Sequence, residues 1–356
     1  MNLSDRFSKS LLHWHQTENC REMPWKGEKD PYRIWLSEII LQQTRVEQGI
    51  SYYQKFVSTF PTVHDLANAD DQQVFKLWEG LGYYSRCRNL IASAKYISKE
   101  LNGQFPNTYE TISQLKGVGP YTTAAIASFA YNLPYAVLDG NVFRILARLF
   151  GLSTPTDSTE GKKQFANLSQ QLLDKKLPAL YNQAIMDFGA TVCKPAPNCN
   201  ACPFTCSCVA YGTNSISELP VKSKKIRIRK RWFHYLVIEH KGYIAIRQRI
   251  SRDIWNQLYE YPLIETDAQI IEEQLIEMVK QSGMVESHNI EIVEYSETHK
   301  QQLSHQLIQG RFLHVRTKEK PAGDPSWLWL PESQMKEYPF PRLINSYRQR
   351  SSLTSK

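Results

Sequence analysis

Four cysteines set the tightest limit on how this chain can fold. Cys193, Cys199, Cys202 and Cys208 follow one another with five, two and five residues between them. Five of the seven cysteines in the chain fall between Cys193 and Cys208. The start of the chain, MNLSDRFSKSLLHWHQ, has no secretory pattern, so a reducing compartment is expected, where clustered thiols bind metal and do not cross-link. Soft thiolates suit zinc or an iron–sulfur cluster. Zinc sites usually pair two Cys-x-x-Cys knuckles and only one is present, so the uneven spacing favours one [4Fe–4S] cluster held by these four. Cys206 is a spare that could compete as fourth ligand. Cys20 and Cys87 sit in helical context and read as packing residues.

A thiolate-held loop needs a folded scaffold, and 356 residues suggest two domains. No apolar run approaches the roughly 20 residues that cross a membrane. Residues 1–219 read as helical, with amphipathic stretches at 34–48, 71–78, 88–101, 122–131 and 142–150, and Asp30-Pro31 as a helix start. The run Val221–Arg231 reads as an exposed basic linker over 220–231. Residues 232–350 read as α+β, opening with a hairpin around Lys241-Gly242, followed by strand-like and helical pieces at 267–282, 290–295, 308–315 and 327–330, with a tail at 351–356. The net charge of +8 fits a polyanionic partner, though it fits an ordinary basic protein as well.

Between two helical stretches lies Leu115-Lys-Gly-Val-Gly-Pro-Tyr-Thr122. Gly117 and Gly119 permit positive φ and close backbone approach, and Pro120 suits a first helical position. Free N–H groups at such a helix start can hold a phosphate oxygen, the behaviour of a helix-hairpin-helix motif (115–126) on DNA. A plain helix–helix turn would look similar.

Two carboxyls stand in places that alter proton chemistry. Glu38 lies among Ile34, Trp35 and Leu41 on one helix. Desolvation there raises its pKa and suits a general acid, unless a basic side chain pairs with it. Asp139 precedes a helix, where Asp is also a standard N-cap, and Asn141 is close enough to orient it. One desolvated carboxyl and one held at a helix start can divide acid and anion roles.

Five strings in this order, Trp35–Thr44, Gly80-Leu-Gly-Tyr-Tyr-Ser-Arg86, Leu115–Thr122, Leu138-Asp-Gly-Asn141 and the cysteine loop (193–208), resemble the endonuclease III superfamily of base-excision glycosylases, and among them the adenine DNA glycosylases. The resemblance implies a helical glycosylase domain that flips adenine out of double-stranded DNA where it faces 8-oxoguanine or guanine. It implies Glu38 as the acid at N7, Asp139 stabilising the sugar cation, and Tyr121 and Asn141 orienting them. Superfamily members that cut the strand through an imine carry a lysine at position 121. Tyr121 cannot form one, so a monofunctional enzyme is expected. DNA contacts are implied for Gln43, Thr44, Leu81, Tyr83, Lys116, Gly117, Val118 and Gly119, with Gln43 and Tyr83 wedging into the stack. A monomer in the cytoplasm, at the nucleoid and off the membrane, is the corresponding expectation. The first cysteine gap is one residue shorter than the family's usual six.

The second domain resembles the family's MutT-like (Nudix-like) domain through Trp255-Asn-Gln-Leu-Tyr-Glu-Tyr-Pro262. Neither Gly nor Arg occurs between Leu263 and Ser282, so the metal box of a phosphohydrolase is not expected. Leu303-Ser304-His305 is similar to a Phe-Ser-His loop that implies 8-oxoguanine recognition by Ser304 and His305; Leu303 stands where the family has Phe. Taken from the residues alone, an ordinary polar loop is the alternative.

Overall fold

The computed structural model describes residues 3–223, 228–285 and 290–354, without the side chains of Leu3 and of 351–354. Its helices are α1 (Leu3–Thr17), α2 (Pro31–Leu41), α3 (Val46–Thr59), α4 (Val63–Asn68), α5 (Asp71–Trp78), α6 (Ser85–Glu100), α7 (Tyr109–Ser113), α8 (Pro120–Tyr131), α9 (Gly140–Phe150), α10 (Thr159–Leu172), α11 (Pro178–Thr191), α12 (Val209–Gly212), α13 (Glu272–Ser282) and α14 (Arg342–Thr354). Backbone proximity separates two compact units. One is Met1–Ala69 with Arg88–Lys225, and the other is Asp70–Cys87 with Ile226–Lys356.

The first unit is all-helical. α2 begins where the sequence signals it: Asp30 accepts from the Tyr32 N–H and Pro31 takes the first position. Eight residues of its single span are buried, Glu38 among them. The expected helix over 34–48 is broken. Gln42 leaves helical geometry, Gln43 turns left-handed at φ 55°, and α3 starts at Val46. No Gly or Pro announces this corner, and it leaves Gln43 exposed. α8 is buried from Thr122 to Ser128, so it runs through the interior with almost no polar face. α9 and α11 pack closely because Gly189 is a glycine; a Cβ there would sit 2.6 Å from that of Asn141.

The second unit is built on a mixed sheet. Its strands are β1 (Arg229–His240), β2 (Tyr243–Gln248), β3 (Tyr259–Glu260), β4 (Leu263–Thr266), β5 (Ile290–Tyr295), β6 (His299–Gln302), β7 (Gln306–Thr317) and β8 (Leu328–Pro331). The main path runs β3-β2-β1-β7-β5, while β4 pairs β1, β6 pairs β7 and β8 pairs β2. β1 and β7 are parallel along nearly their whole length, from Arg229 opposite Gln306 to Glu239 opposite Arg316. β1 and β2 form the expected hairpin, and Lys241 and Gly242 both take positive φ, as a two-residue turn matched to strand twist requires. α13, starting at Glu272, occupies the later part of the 267–282 piece and packs Leu275 and Val279 into the core with Leu236, Ile238 and Leu313.

The linker expected over 220–231 is not exposed throughout. The Thr156 N–H donates to the Val221 carbonyl and Asp157 accepts from Ser223, so the chain stays on the first unit that far. Residues 224–227 lie outside the described residues. Arg229–Arg231 already belong to β1, and Arg231 is buried, paired with Asp253 at 2.7 Å and Glu265 at 2.6 Å. Alternation along a strand sends every second residue inward, and here the inward one meets two carboxylates. Among the described residues no helix is long and apolar enough to cross a membrane.

Candidate active site

A cavity of about 570 Å³ opens in the helical unit, and Glu38, Tyr121, Asp139 and Asn141 all line it. They come from α2, α8 and the start of α9. Glu38 is 6 % exposed, and burial lifts its pKa to about 7. The Tyr121 hydroxyl, a hydrogen-bond partner, opposes that rise, and the charge of Asp139 adds to it. No cationic side chain is among the groups acting on Glu38. Tyr121 is itself held far above the usual phenol range, chiefly by burial, so it remains a neutral donor.

Asp139 caps α9. One oxygen accepts from the Val142 N–H at 2.8 Å and the other from Asn141 Nδ2 at 2.8 Å. Burial raises its pKa too, against these hydrogen bonds and the nearby charge of Arg144. The two carboxyls thus differ in their surroundings: Asp139 has several groups favouring its anion, and Glu38 has one. Asn141 is fixed in turn by Arg144 Nη2, which donates to its Oδ1 at 2.7 Å and to the Gly189 carbonyl at 2.8 Å. Arg144 Nε donates to the carbonyl of Cys193 at 2.7 Å.

Sequence reasoning missed two walls of this cavity. The loop before α2 contributes Arg21, Met23, Trp25 and Lys26, and α11 contributes Leu180, Gln183 and Met186. Asp187, wholly buried on α11, holds the loop by accepting from Arg21 at 2.9 Å and Asn19 at 2.8 Å, with Lys26 at 3.5 Å. Gln183 Nε2 is buried with no partner among the described residues. The signal available was an amide at helical spacing between Leu180 and Met186.

The glycine hairpin joins α7 to α8. Gly117 has φ +79°, and a Cβ there would meet Asn89 at 2.8 Å. Gly119 departs from expectation: its φ is −92°, so it is not needed for a left-handed turn. Nothing lies within 4 Å of where its Cβ would be, which leaves the backbone open to close approach from outside. No side chain caps α8, so its first N–H groups remain available to an anion. Lys116 is exposed, Val118 is buried, and the Lys116 carbonyl accepts from Ser93. Gly117→Ala is expected to destabilise the protein by about 1 kcal/mol or more through strained φ and the Asn89 collision, read as a lowered thermal midpoint. Thr44 is half-buried beside the exposed Gln43.

The remaining candidates lie in the second unit. Tyr83 is 44 % exposed and left-handed at φ 48°. Its hydroxyl is 2.5 Å from Ser304 Oγ, in the turn between β6 and β7 where Ser304 and His305 are both exposed. Two motifs some two hundred residues apart are therefore in direct contact. Leu81 is buried, so its side chain does not itself reach outward.

Cys193, Cys199, Cys202 and Cys208 line one small cavity, and Cys206 is exposed and not part of its wall. Among the described residues no three ligand-type side chains converge on a single ion position. Four sulfurs spread around one space fit a multi-atom cluster better than one ion. The Thr205 hydroxyl donates to the carbonyls of Cys199 and Cys202 and shapes the Cys-x-x-Cys turn. Burial pushes the Cys202 thiol to about 11, so a metal must displace its proton on binding. Arg148, 4 % exposed, donates to the carbonyls of Lys194, Pro195, Ile216 and Leu219, and its Nη1 lies 3.7 Å from Cys193 Sγ. Arg148→Met is expected to cost about 3 kcal/mol or more, because several buried carbonyls lose a charged donor together; thermal unfolding measures it.

Residues 36–171 match the model of the HhH-GPD superfamily base excision DNA repair proteins, and residues 234–350 match a NUDIX domain. An adenine DNA glycosylase of Buchnera aphidicola subsp. Baizongia pistaciae is 36 % identical over 262 residues, covering 72 % of this chain and 73 % of that protein. The human adenine DNA glycosylase is 43 % identical over 214 residues, covering 57 % of this chain and 39 % of its own. A thermostable thymine-DNA glycosylase superposes with a TM-score of 0.55 at 27 % identity, over 59 % of this chain and 97 % of that one. Endonuclease III, in a trapped covalent DNA intermediate, shares the fold at a TM-score of 0.51 and 18 % identity, over 60 % and 99 % of the two chains. With its two domain matches and its glycosylase relatives, the chain belongs to the adenine DNA glycosylase family of base excision repair enzymes.

Proposed function

We propose that this chain hydrolyses the N-glycosidic bond of adenine mispaired with 8-oxoguanine or guanine in double-stranded DNA, and leaves an abasic site uncut. The observation that carries the reading is a buried carboxyl with a pKa of about 7 in the same cavity as a second, hydrogen-bonded carboxyl. The adenine must leave the stack, since its glycosidic bond is out of reach inside the duplex. Glu38 donates its proton to N7. The C1′–N9 bond breaks and its electron pair goes to the base. Asp139 faces the sugar as an anion and stabilises the oxocarbenium charge, while Asn141 and Tyr121 hold the two carboxyls in place. Water adds to C1′ and gives up its proton to Asp139. Gln183 Nε2, unpartnered among the described residues, is a donor for a ring nitrogen of adenine.

Gln43, Thr44 and the turn carrying Leu81 and Tyr83 are assigned to the opened stack. Lys116–Gly119 are assigned to a phosphate, and Ser304 and His305 to the base opposite the adenine. Cys193, Cys199, Cys202 and Cys208 would hold one [4Fe–4S] cluster, which when bound supplies iron–thiolate cross-links to their loop. Iron and sulfide content per chain tests that assignment. The protein is assigned as a monomer acting on chromosomal DNA in the cytoplasm. The deciding experiment uses an end-labelled duplex with one adenine opposite 8-oxoguanine, split between hot alkali and no alkali. A break only after alkali is the expected result. A break without alkali would assign lyase chemistry despite Tyr121, and no break in either arm would remove the glycosylase reading.

A further inference from the structure

The turn that carries Tyr83 is an improbable piece of backbone. Gly80, Gly82 and Tyr83 all have positive φ, at 97°, 73° and 48°. A non-glycine residue in the left-handed region is held there by its surroundings and not by local preference. Asp70–Cys87 also groups with residues more than a hundred positions later in the chain. What fixes it immediately before the turn is Glu79. Its Oε1 accepts from the Phe340 N–H and from Asn345 Nδ2, both at 2.8 Å. Its Oε2 accepts from Lys76 Nζ at 2.6 Å, and the same ammonium donates to the Tyr338 carbonyl at 3.1 Å. Gln72 adds a weaker bond to the Glu337 carbonyl and accepts from the Tyr259 hydroxyl. After the turn, the Arg86 guanidinium lies over both Tyr83 and Trp78.

We propose that Glu79 is a positioning residue for recognition of the base opposite adenine. Its carboxylate clasps α5 to the segment that leads into α14, and so sets the Tyr83 turn against Ser304. The inference rests on the assignment of Tyr83 and Ser304 given above. Charge and geometry favour it over a simple packing contact. Both carboxylate oxygens are engaged, one by backbone and amide donors and one by a cation. Charge-assisted bonds of this kind fix orientation more firmly than apolar contact does. Tyr83 and Ser304 then act as one edge assembled from two distant stretches of chain.

The test uses the full-length holoenzyme with Glu79→Ala and Glu79→Gln. Single-turnover excision is titrated with enzyme on two duplexes, adenine opposite 8-oxoguanine and adenine opposite guanine. For Glu79→Ala the half-saturating concentration should rise about tenfold on the 8-oxoguanine duplex and no more than about threefold on the guanine duplex, the loss of roughly one hydrogen bond's worth of affinity. The saturating rate should change less than the half-saturating concentration. Glu79→Gln should recover part of the preference, because its amide oxygen can still accept from Phe340 and Asn345. Equal weakening on both duplexes, or a loss confined to the saturating rate, would overturn the proposal. Hydrogen exchange on the free protein gives a reading independent of substrate. Amides of 80–87 should exchange faster in Glu79→Ala while those of 120–131 do not change. Unchanged exchange at 80–87 would overturn the clasp even if activity fell. If the unmodified enzyme released no adenine from either duplex, the functional reading would fail, and exchange would still decide the clasp. Should Glu79→Ala not fold, Asn345→Ala, which removes one donor only, carries the same comparison.

Discussion

Glu38→Gln should bind lesion DNA and release almost no adenine. The amide keeps nearly the shape of the carboxyl and cannot deliver a proton to N7. The loss is expected on the order of 10²–10⁴-fold in single-turnover rate, the usual range for general acid catalysis. A variant that turned over at the original rate would remove Glu38 as the acid. The pH dependence follows from the same geometry. Burial raises the Glu38 pKa to about 7. The protonated form is the competent one, so the rate should fall as pH rises through about 7. Asp139 must be ionised, so the rate should also fall at low pH as the raised pKa of Asp139 is crossed. A bell-shaped profile results, and its alkaline limb should vanish from the residual activity of Glu38→Gln.

Asp139→Asn separates the cap of α9 from the anion of the active site. Asn caps helices about as well as Asp, so its amide oxygen can keep the bond from the Val142 N–H; its nitrogen cannot accept from Asn141 Nδ2, so the thermal midpoint should fall, though less than in Asp139→Ala. On the proposed mechanism, the negative charge facing the sugar is lost, together with the carboxylate that would accept the water proton. A fall of about 10²–10³-fold in excision rate is expected with folding intact, by analogy with removal of one preorganised electrostatic group. Asp139→Ala should lose a comparable rate and also about 1 kcal/mol of stability. A stable Asp139→Asn variant with full activity would reduce Asp139 to a helix cap.

Much of the architecture is written in short-range signals. Asp30-Pro31, the spacing of apolar residues in α8 and α9, and Lys241-Gly242 each dictate a local conformation, and those elements occur where the sequence places them. Glu38 in an apolar helix and Asp139 before another were likewise visible as unusual positions. Their meeting in one cavity depends on how α2, α8 and α9 pack, which no window of the sequence contains. The corner at Gln43 was hidden because ordinary polar residues take left-handed geometry there under tertiary constraint.

The sequence by itself determined the residue types at hand: two carboxyls in unusual positions, a phenol in place of an amine, and four thiols on one short loop. It also determined the order of helical and mixed regions. Only the tertiary structure decided which groups act together. It buried Arg231 where a charged run suggested solvent, held the pre-α2 loop on Asp187, and joined Tyr83 to Ser304. The physical reason is that burial and hydrogen-bond partners are set by elements far apart in the chain, and those two factors fix the pKa of Glu38 and the conformation of the Tyr83 turn.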